Sequence, residues 1–190
     1  YNFRLKYQLS TEDCDPDDII ERLGAAGCDD ALVGIGRPGR LALDFTRESE
    51  SAQGAVRSAI DDVRRAVPTV MLIEAAPDFV GLSDIAEIAG VSRQAMRKLM
   101  LAHPSDFPPP VHEGTLAIWH LADVLDWLKA LGRYQIEPEL LETASMTLEL
   151  NLARDRGRAA QRHVEQQPTM QTTGLVAREV PKVVNPALSK

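Results

Sequence analysis

Between Ala89 and Ser105 the chain carries Arg93, Arg97 and Lys98, with Gln94 among them and no acidic residue. These are side chains that can read and hold DNA. An arginine fork matches guanine O6 and N7, a glutamine amide matches adenine N6 and N7, and either cation neutralises phosphate. Spacing adds to residue type: Ser92 is placed as an N-cap, so a helix opens at Arg93. In helix-turn-helix docking the first residues of the second helix are the ones that reach base edges. Arg93, Gln94 and Arg97 are the expected base readers and Lys98 the expected phosphate contact. Ser92, Ser83 and Thr115 complete the candidate DNA-binding set.

The neighbouring sequence must position that helix. Leu82 to Ala89 has apolar residues at Leu82, Ile85, Ala86, Ile88 and Ala89, with Ser83 as the expected N-cap and Asp84 in the first turn. Gly90-Val91 is a tight turn, so two short helices meet across a glycine. Ile85, Ala86, Val91, Met96 and Leu99 are expected to hold them together. His103-Pro104-Ser105-Asp106-Phe107-Pro108-Pro109-Pro110 is too rich in proline for a helix and predicts an extended crossing. Val111-His112 and Leu116-Ala117-Ile118-Trp119 are then expected to pair across Glu113-Gly114 as a small wing. His120 to Leu131 reads as a closing helix, with Leu121, Val124, Leu125 and Leu128 at i, i+3, i+4 and i+7 and Gly132 as its stop. Trp119 and Trp127 are the expected core anchors.

Taken together, Leu82-Ser83-Asp84-Ile85-Ala86, Val91-Ser92-Arg93, Phe107-Pro108-Pro109-Pro110, Ile118-Trp119 and Asp123-Val124-Leu125-Asp126-Trp127-Leu128 form a recognisable series. Residues 79–132 resemble the winged helix-turn-helix of the MerR and excisionase (AlpA-like) superfamily. The resemblance implies a DNA-binding transcriptional regulator or recombination directionality factor that acts as a dimer or cooperatively. In such proteins the wing often carries arginine or lysine. This one offers only His112 and Thr115 beside the acidic Glu113.

Other chemistries find little support in the sequence. His103, His112, His120 and His163 fall in no metal-ligand spacing, and neither GxSxG nor HExxH occurs. Asp29-Asp30 and Asp61-Asp62 read as solvated surface rather than as an acid/base pair. Gly34-Ile35-Gly36-Arg37-Pro38-Gly39 matches GxGxxG, but a dinucleotide site needs a helix directly after it, and here a strand pattern follows. Cys14 and Cys28 lack CxxC spacing and suit buried or incidental thiols in a reducing compartment. The expectation is a protein that is not an enzyme and binds no cofactor or metal.

The rest of the chain divides by pattern. Phe3, Leu5, Tyr7 and Leu9 alternate with polar residues as in a strand with one wet face. Asp15-Pro16-Asp17-Asp18 opens a helix whose stripe is Ile19, Ile20 and Leu23, and Gly27 is its expected stop. Ala31 to Ile35 and Arg40 to Phe45 predict a hairpin, Ser49 to Val67 a second helix, and Thr69 to Glu74 a last strand. The order β-α-β-β-α-β is that of the ferredoxin-like split unit, here residues 1–76. Glu137-Pro138 starts a C-terminal helix, 137–163, with Leu141, Ala144, Leu148 and Leu152 on one stripe. That stripe can pair two subunits or fold back on its own chain, and pairing is preferred. Residues 166–190 are polar, contain Pro168, Pro181 and Pro186, and read as a flexible tail.

With 190 residues, 44 % apolar and 26 % charged, the chain suits one large or two small globular domains of α+β class. Its longest apolar runs fall far short of a bilayer span, and the N-terminus lacks a basic-then-apolar signal, which predicts a cytoplasmic protein off the membrane. The net charge of -7 opposes nucleic acid at first sight. Residues 1–76 hold 14 acids against 9 bases, however, whereas residues 79–135 hold 6 against 5. At a screening length of about 8 Å, acid elsewhere on the surface weighs little at the basic helix. The expected function is sequence-specific, major-groove DNA binding by a homodimer. The alternative is a protein-interaction module, an antitoxin or adaptor, whose N-terminal domain or tail takes a partner protein.

Overall fold

The computed structural model describes residues 1–11, 13 and 15–166, the side chains of 164–166 excepted. Cys14 and the expected tail beyond Gln166 lie outside these residues. The fold is mixed α+β, with a four-stranded antiparallel sheet, a two-stranded pair and six α-helices among the described residues.

The first part runs β1 (Asn2–Gln8), α1 (Pro16–Ala25), β2 (Ala31–Gly34), β3 (Arg40–Thr46), α2 (Ala52–Ala66) and β4 (Met71–Ala76), and the sheet order is β2-β3-β1-β4. Strand alternation puts Phe3, Leu5 and Tyr7 on the same face as Leu41, Leu43 and Phe45, where they are buried with Ile19 and Leu23 of α1 and Val56, Ala59 and Val63 of α2. The opposite face is polar. Arg4 lies across from Asp44 and Lys6 across from Glu74, and both pairs are ion-paired, the second at 3.0 Å.

Local chemistry sets the ends of these elements. Asp15 accepts from Asp17 N at 3.0 Å, with Pro16 as the first helical residue. The second helix begins at Ala52 rather than Ser49, because Ser51 Oγ accepts from Gly54 N at 3.1 Å and holds Ser51 extended. A turn closed by Val70 N to Val67 O delays the last strand to Met71 instead of Thr69. The GxGxxG stretch is the turn between two antiparallel strands, β2 and β3.

Two of the acids read as solvated are internal partners. Arg47, only 8 % exposed, donates to Asp30 at 2.6 and 2.9 Å, to Asp62 at 2.8 Å and to Gly27 O at 2.9 Å. Hydrogen bonding to Asp30 holds this guanidinium well above its ordinary pKa. A buried guanidinium needs several acceptors, and α2 and the α1–β2 turn supply them.

The second part comprises β5 (Phe79–Val80), α3 (Leu82–Ile88), α4 (Arg93–Ala102), β6 (Trp119–His120) and α5 (Leu121–Ala130). Val80, Ile85, Ala86, Met96, Trp119, Leu121, Val124, Leu125 and Leu128 form its buried cluster.

Helix α6 (Pro138–Gln166), about 43 Å long at 1.5 Å per residue, belongs to both parts. Ala144, Leu141 and Leu148 join the second cluster, while Met146 and Leu150 join the first. The expected pairing of this stripe with another subunit is corrected: the helix folds back on its own chain, and Leu152, at the end of the expected stripe, is exposed. The buried line on α6 includes Thr143, Thr147 and Asn151, which an apolar-only pattern passes over.

Candidate nucleic-acid interface

The turn between α3 and α4 is built on Gly90, whose φ of 66° is a left-handed conformation that a side chain disfavours. Gly90 N donates to Glu87 O and Val91 N to Ala86 O, at 3.0 and 2.9 Å, so the chain reverses within three residues. Ser92 then caps α4, its Oγ accepting from Ala95 N at 3.1 Å. With Ile85, Ala86 and Met96 all 2 % exposed or less, the two helices are locked on their inner faces. Val91 and Leu99 pack against the same cluster. The cap Ser92 and, on α4, Arg93, Gln94, Arg97 and Lys98 are all exposed, as are Ala95, Leu101 and Ala102.

Ser83 does not cap α3. The N-cap is Gly81, because the β5–β6 pairing keeps Phe79 and Val80 extended and the Asp84 carboxylate reaches back to Gly81 N at 2.8 Å. Ser83 is therefore inside the first turn, exposed. It lines a cleft of about 580 Å³ together with Arg93, Arg97, Gly114 and Thr115. The fold thus brings four of the candidate residues, Ser83, Arg93, Arg97 and Thr115, around one opening. Ser92, Gln94 and Lys98 lie on α4 outside that lining.

The electrostatics of this surface are simple. Among the described residues, no carboxylate forms an ion pair with Arg93, Arg97 or Lys98. Asp84, the one acid lining the cleft, is engaged by the Gly81 amide. Three cations without a counter-ion among the described residues leave their charge available to an external anion.

The wing differs from expectation. His112 and Ile118 make a single bridge, closed by Ile118 N to His112 O at 3.0 Å and Val111 N to Ile118 O at 2.8 Å, and 113–117 form a loop with Leu116 exposed. Trp119, expected in the hairpin, instead pairs with Val80 of β5, and His120 with Phe79. The indole of Trp119 donates to Pro108 O at 3.1 Å. Phe107 packs edge-on to Trp119 and Trp127, at 5.8 and 4.9 Å between ring centroids. The proline crossing is held by the two tryptophans, which fixes the base of the loop that carries Thr115.

A second constellation, not foreseen from sequence, joins the two parts. Asp78 is 1 % exposed, and its carboxylate accepts from Asn151 Nδ2 and meets His120 Nδ1, each at 2.6 Å. Thr147 Oγ1 lies 2.5 Å from Pro77 O, the residue after the cis Ala76–Pro77 bond. The available signal was Thr143, Thr147 and Asn151 at i, i+4 and i+8, a small polar stripe on a helix. These groups bond to one another and to backbone, and they fasten the connection between β4 and β5 to α6.

Among the described residues no three His, Cys, Asp or Glu are grouped to hold a metal ion. None of the described helices is long and apolar enough to cross a membrane. Comparison with protein-family models, with curated proteins and with solved structures found no match.

Proposed function

We propose that this chain is a sequence-specific DNA-binding transcriptional regulator that acts as a dimer in the cytoplasm. Residues 79–132 serve as a winged helix-turn-helix and residues 1–76 as a ferredoxin-like unit beside it. The observation that carries the reading is the division of α4: Met96 is buried on one side, and Arg93, Gln94, Arg97 and Lys98 are exposed on the other, the three cations without a counter-ion among the described residues. An outward face of two arginines, an amide and a lysine at a helix start suits entry into the major groove.

In this reading Arg93, Gln94 and Arg97 contact base edges, while Lys98 and the hydroxyls of Ser83, Ser92 and Thr115 contact phosphate and set the register. The exposed wing loop is short of cations, so affinity rests on α4. Two copies place their α4 helices in successive major grooves about 34–36 Å apart, and the operator carries two half-sites at that spacing. The acidic surplus lies in residues 1–76, where it excludes non-specific contact by that part.

The test is selection of genomic DNA fragments by the purified chain at about 150 mM salt, since specificity has meaning only at a stated salt. An Arg93/Arg97/Lys98 triple-alanine variant is the control. A repeated, spaced motif that the variant loses supports the proposal, and no enrichment by the intact chain overturns it.

A further inference from the structure

The four-stranded sheet has two edges, and the chain treats them differently. At β4 the edge is covered by α6, and the Asn151 amide takes both the N–H and the C=O of Ala75, at 2.9 and 2.8 Å. At β2, among the described residues, no further strand pairs beyond the sheet order β2-β3-β1-β4. An open edge is a template for another strand, and proteins that must avoid pairing blunt it with proline, lysine or a covering element. The sequence Ala31-Leu32-Val33-Gly34-Ile35 has neither proline nor charge.

The hydrogen-bond register says which groups the edge offers. Thr46 N donates to Asp30 O at 3.1 Å, and Leu32 lies opposite Asp44, so 30/46, 32/44 and 34/42 are the hydrogen-bonded pairs. The backbone groups of Leu32 and Gly34 are thus directed to β3, and those of Ala31, Val33 and Ile35 are directed outward. The Ala31 amide is already used by Cys28 O at 3.2 Å. What remains is both groups of Val33 at the centre, the Ala31 carbonyl on one side and the Ile35 N–H on the other.

We propose that this edge is where two copies of the chain pair, antiparallel, about a two-fold axis at Val33. That register exchanges both hydrogen bonds between the two Val33 residues and lets Ala31 O of each copy accept from Ile35 N of the other. It sets Leu32, 74 % exposed in the single chain, over Gly34 of the second copy, which has no side chain to obstruct it. Asp29 and Arg37, exposed residues of opposite charge, lie in the turns at the two ends of β2, so antiparallel pairing puts the Asp29 end of each copy at the Arg37 end of the other. The pattern is self-complementary in backbone, shape and charge, which a two-fold interface requires. The pairing does not depend on the DNA-binding reading.

Sedimentation equilibrium of the full chain at up to about 100 μM, where micromolar dissociation constants are measured, is the test. The expected result is a monomer–dimer equilibrium. Val33→Pro removes the central N–H at an edge position that tolerates proline, and it is expected to give monomer with an unchanged far-ultraviolet spectrum. Arg37→Asp is expected to weaken the dimer about tenfold by setting like charges together, and Asp29→Arg combined with Arg37→Asp to restore it. The double swap keeps the test decisive even if the proline variant folds poorly. A monomer at every concentration overturns the proposal, and so does a dimer indifferent to all of these changes.

Discussion

The side-chain amide of Asn151 lies against Ala75 as a neighbouring strand would, donating to its carbonyl at 2.8 Å and accepting from its N–H at 2.9 Å. Its second amide proton goes to the Asp78 carboxylate, which His120 Nδ1 meets from the other side. One residue of α6 thereby ends the sheet and ties the β4–β5 connection to the helix. Because α6 contributes buried residues to both clusters, the α4 surface is set at a fixed place relative to the sheet.

Replacing Asn151 with alanine leaves the Ala75 amide and one Asp78 oxygen buried without their partner. The expected cost is about 2–6 kcal/mol, given about 1–3 kcal/mol for each of the two buried groups left unsatisfied. Urea denaturation measures it. Asn151→Asp is expected to be worse, since it removes the amide donor and sets a carboxylate against Asp78.

For DNA, Arg97→Ala and Lys98→Ala are expected to differ in kind. A base reader loses about 1–3 kcal/mol on the cognate site, with the loss depending on sequence at one position. A phosphate contact weakens all sites alike and lowers the slope of log affinity against log salt by about 1. Fluorescence anisotropy on the selected site and on single-base variants, at three salt concentrations, separates the two. Equal behaviour of both variants on every sequence would remove Arg97 from base reading.

The elements written in the sequence were those whose signals are local. The alternation of Phe3, Leu5 and Tyr7, the cap Asp15-Pro16, and the pair Gly90 and Ser92 each specify their own conformation within a few residues. The outward set on α4 followed from the same periodicity, since burying Met96 leaves Arg93, Gln94, Arg97 and Lys98 exposed. What was not legible depended on partners far along the chain. Leu116 to Trp119 has a strand-like pattern, yet its end is claimed by β5, whose Val80 pairs with Trp119. Asp30 and Asp62 read as surface acids because nothing local shows that Arg47 lies between them. The Asn151–Asp78 bond spans 73 residues, and a polar residue on a helix gives no hint of being buried until its acceptor is placed.

Tyr7 is 1 % exposed, and its hydroxyl has no hydrogen-bond partner among the described residues. A buried unsatisfied hydroxyl costs free energy, whereas the ring itself packs in the core. Tyr7→Phe is therefore expected to raise stability by up to about 1 kcal/mol. The corresponding gain in Tm is about 2–4 °C for a chain of this size. Differential scanning calorimetry checks it, and a loss of stability would show that the hydroxyl is satisfied in solution.

Cys28 gives the fold an alkaline limit. Burial, followed by the negative charge of Asp62, pushes its thiol up from 9.0 to about 11. In the unfolded chain the thiol ionises as the pH passes 9, whereas in the folded chain it stays neutral until about 11. The folded state therefore binds more protons in that window, and stability falls as pH rises, by at most about 1.4 kcal/mol per pH unit for a single group. Below pH 9 the contribution is fully present. Tyr7, also raised by burial, adds a second decline that begins near its ordinary value of 10.0. Urea midpoints taken from pH 8 to 11 should slope downward, and Cys28→Ala, whatever its own packing cost, should flatten the first part of that slope. A parallel pair of curves would mean that the thiolate is accommodated in the folded chain.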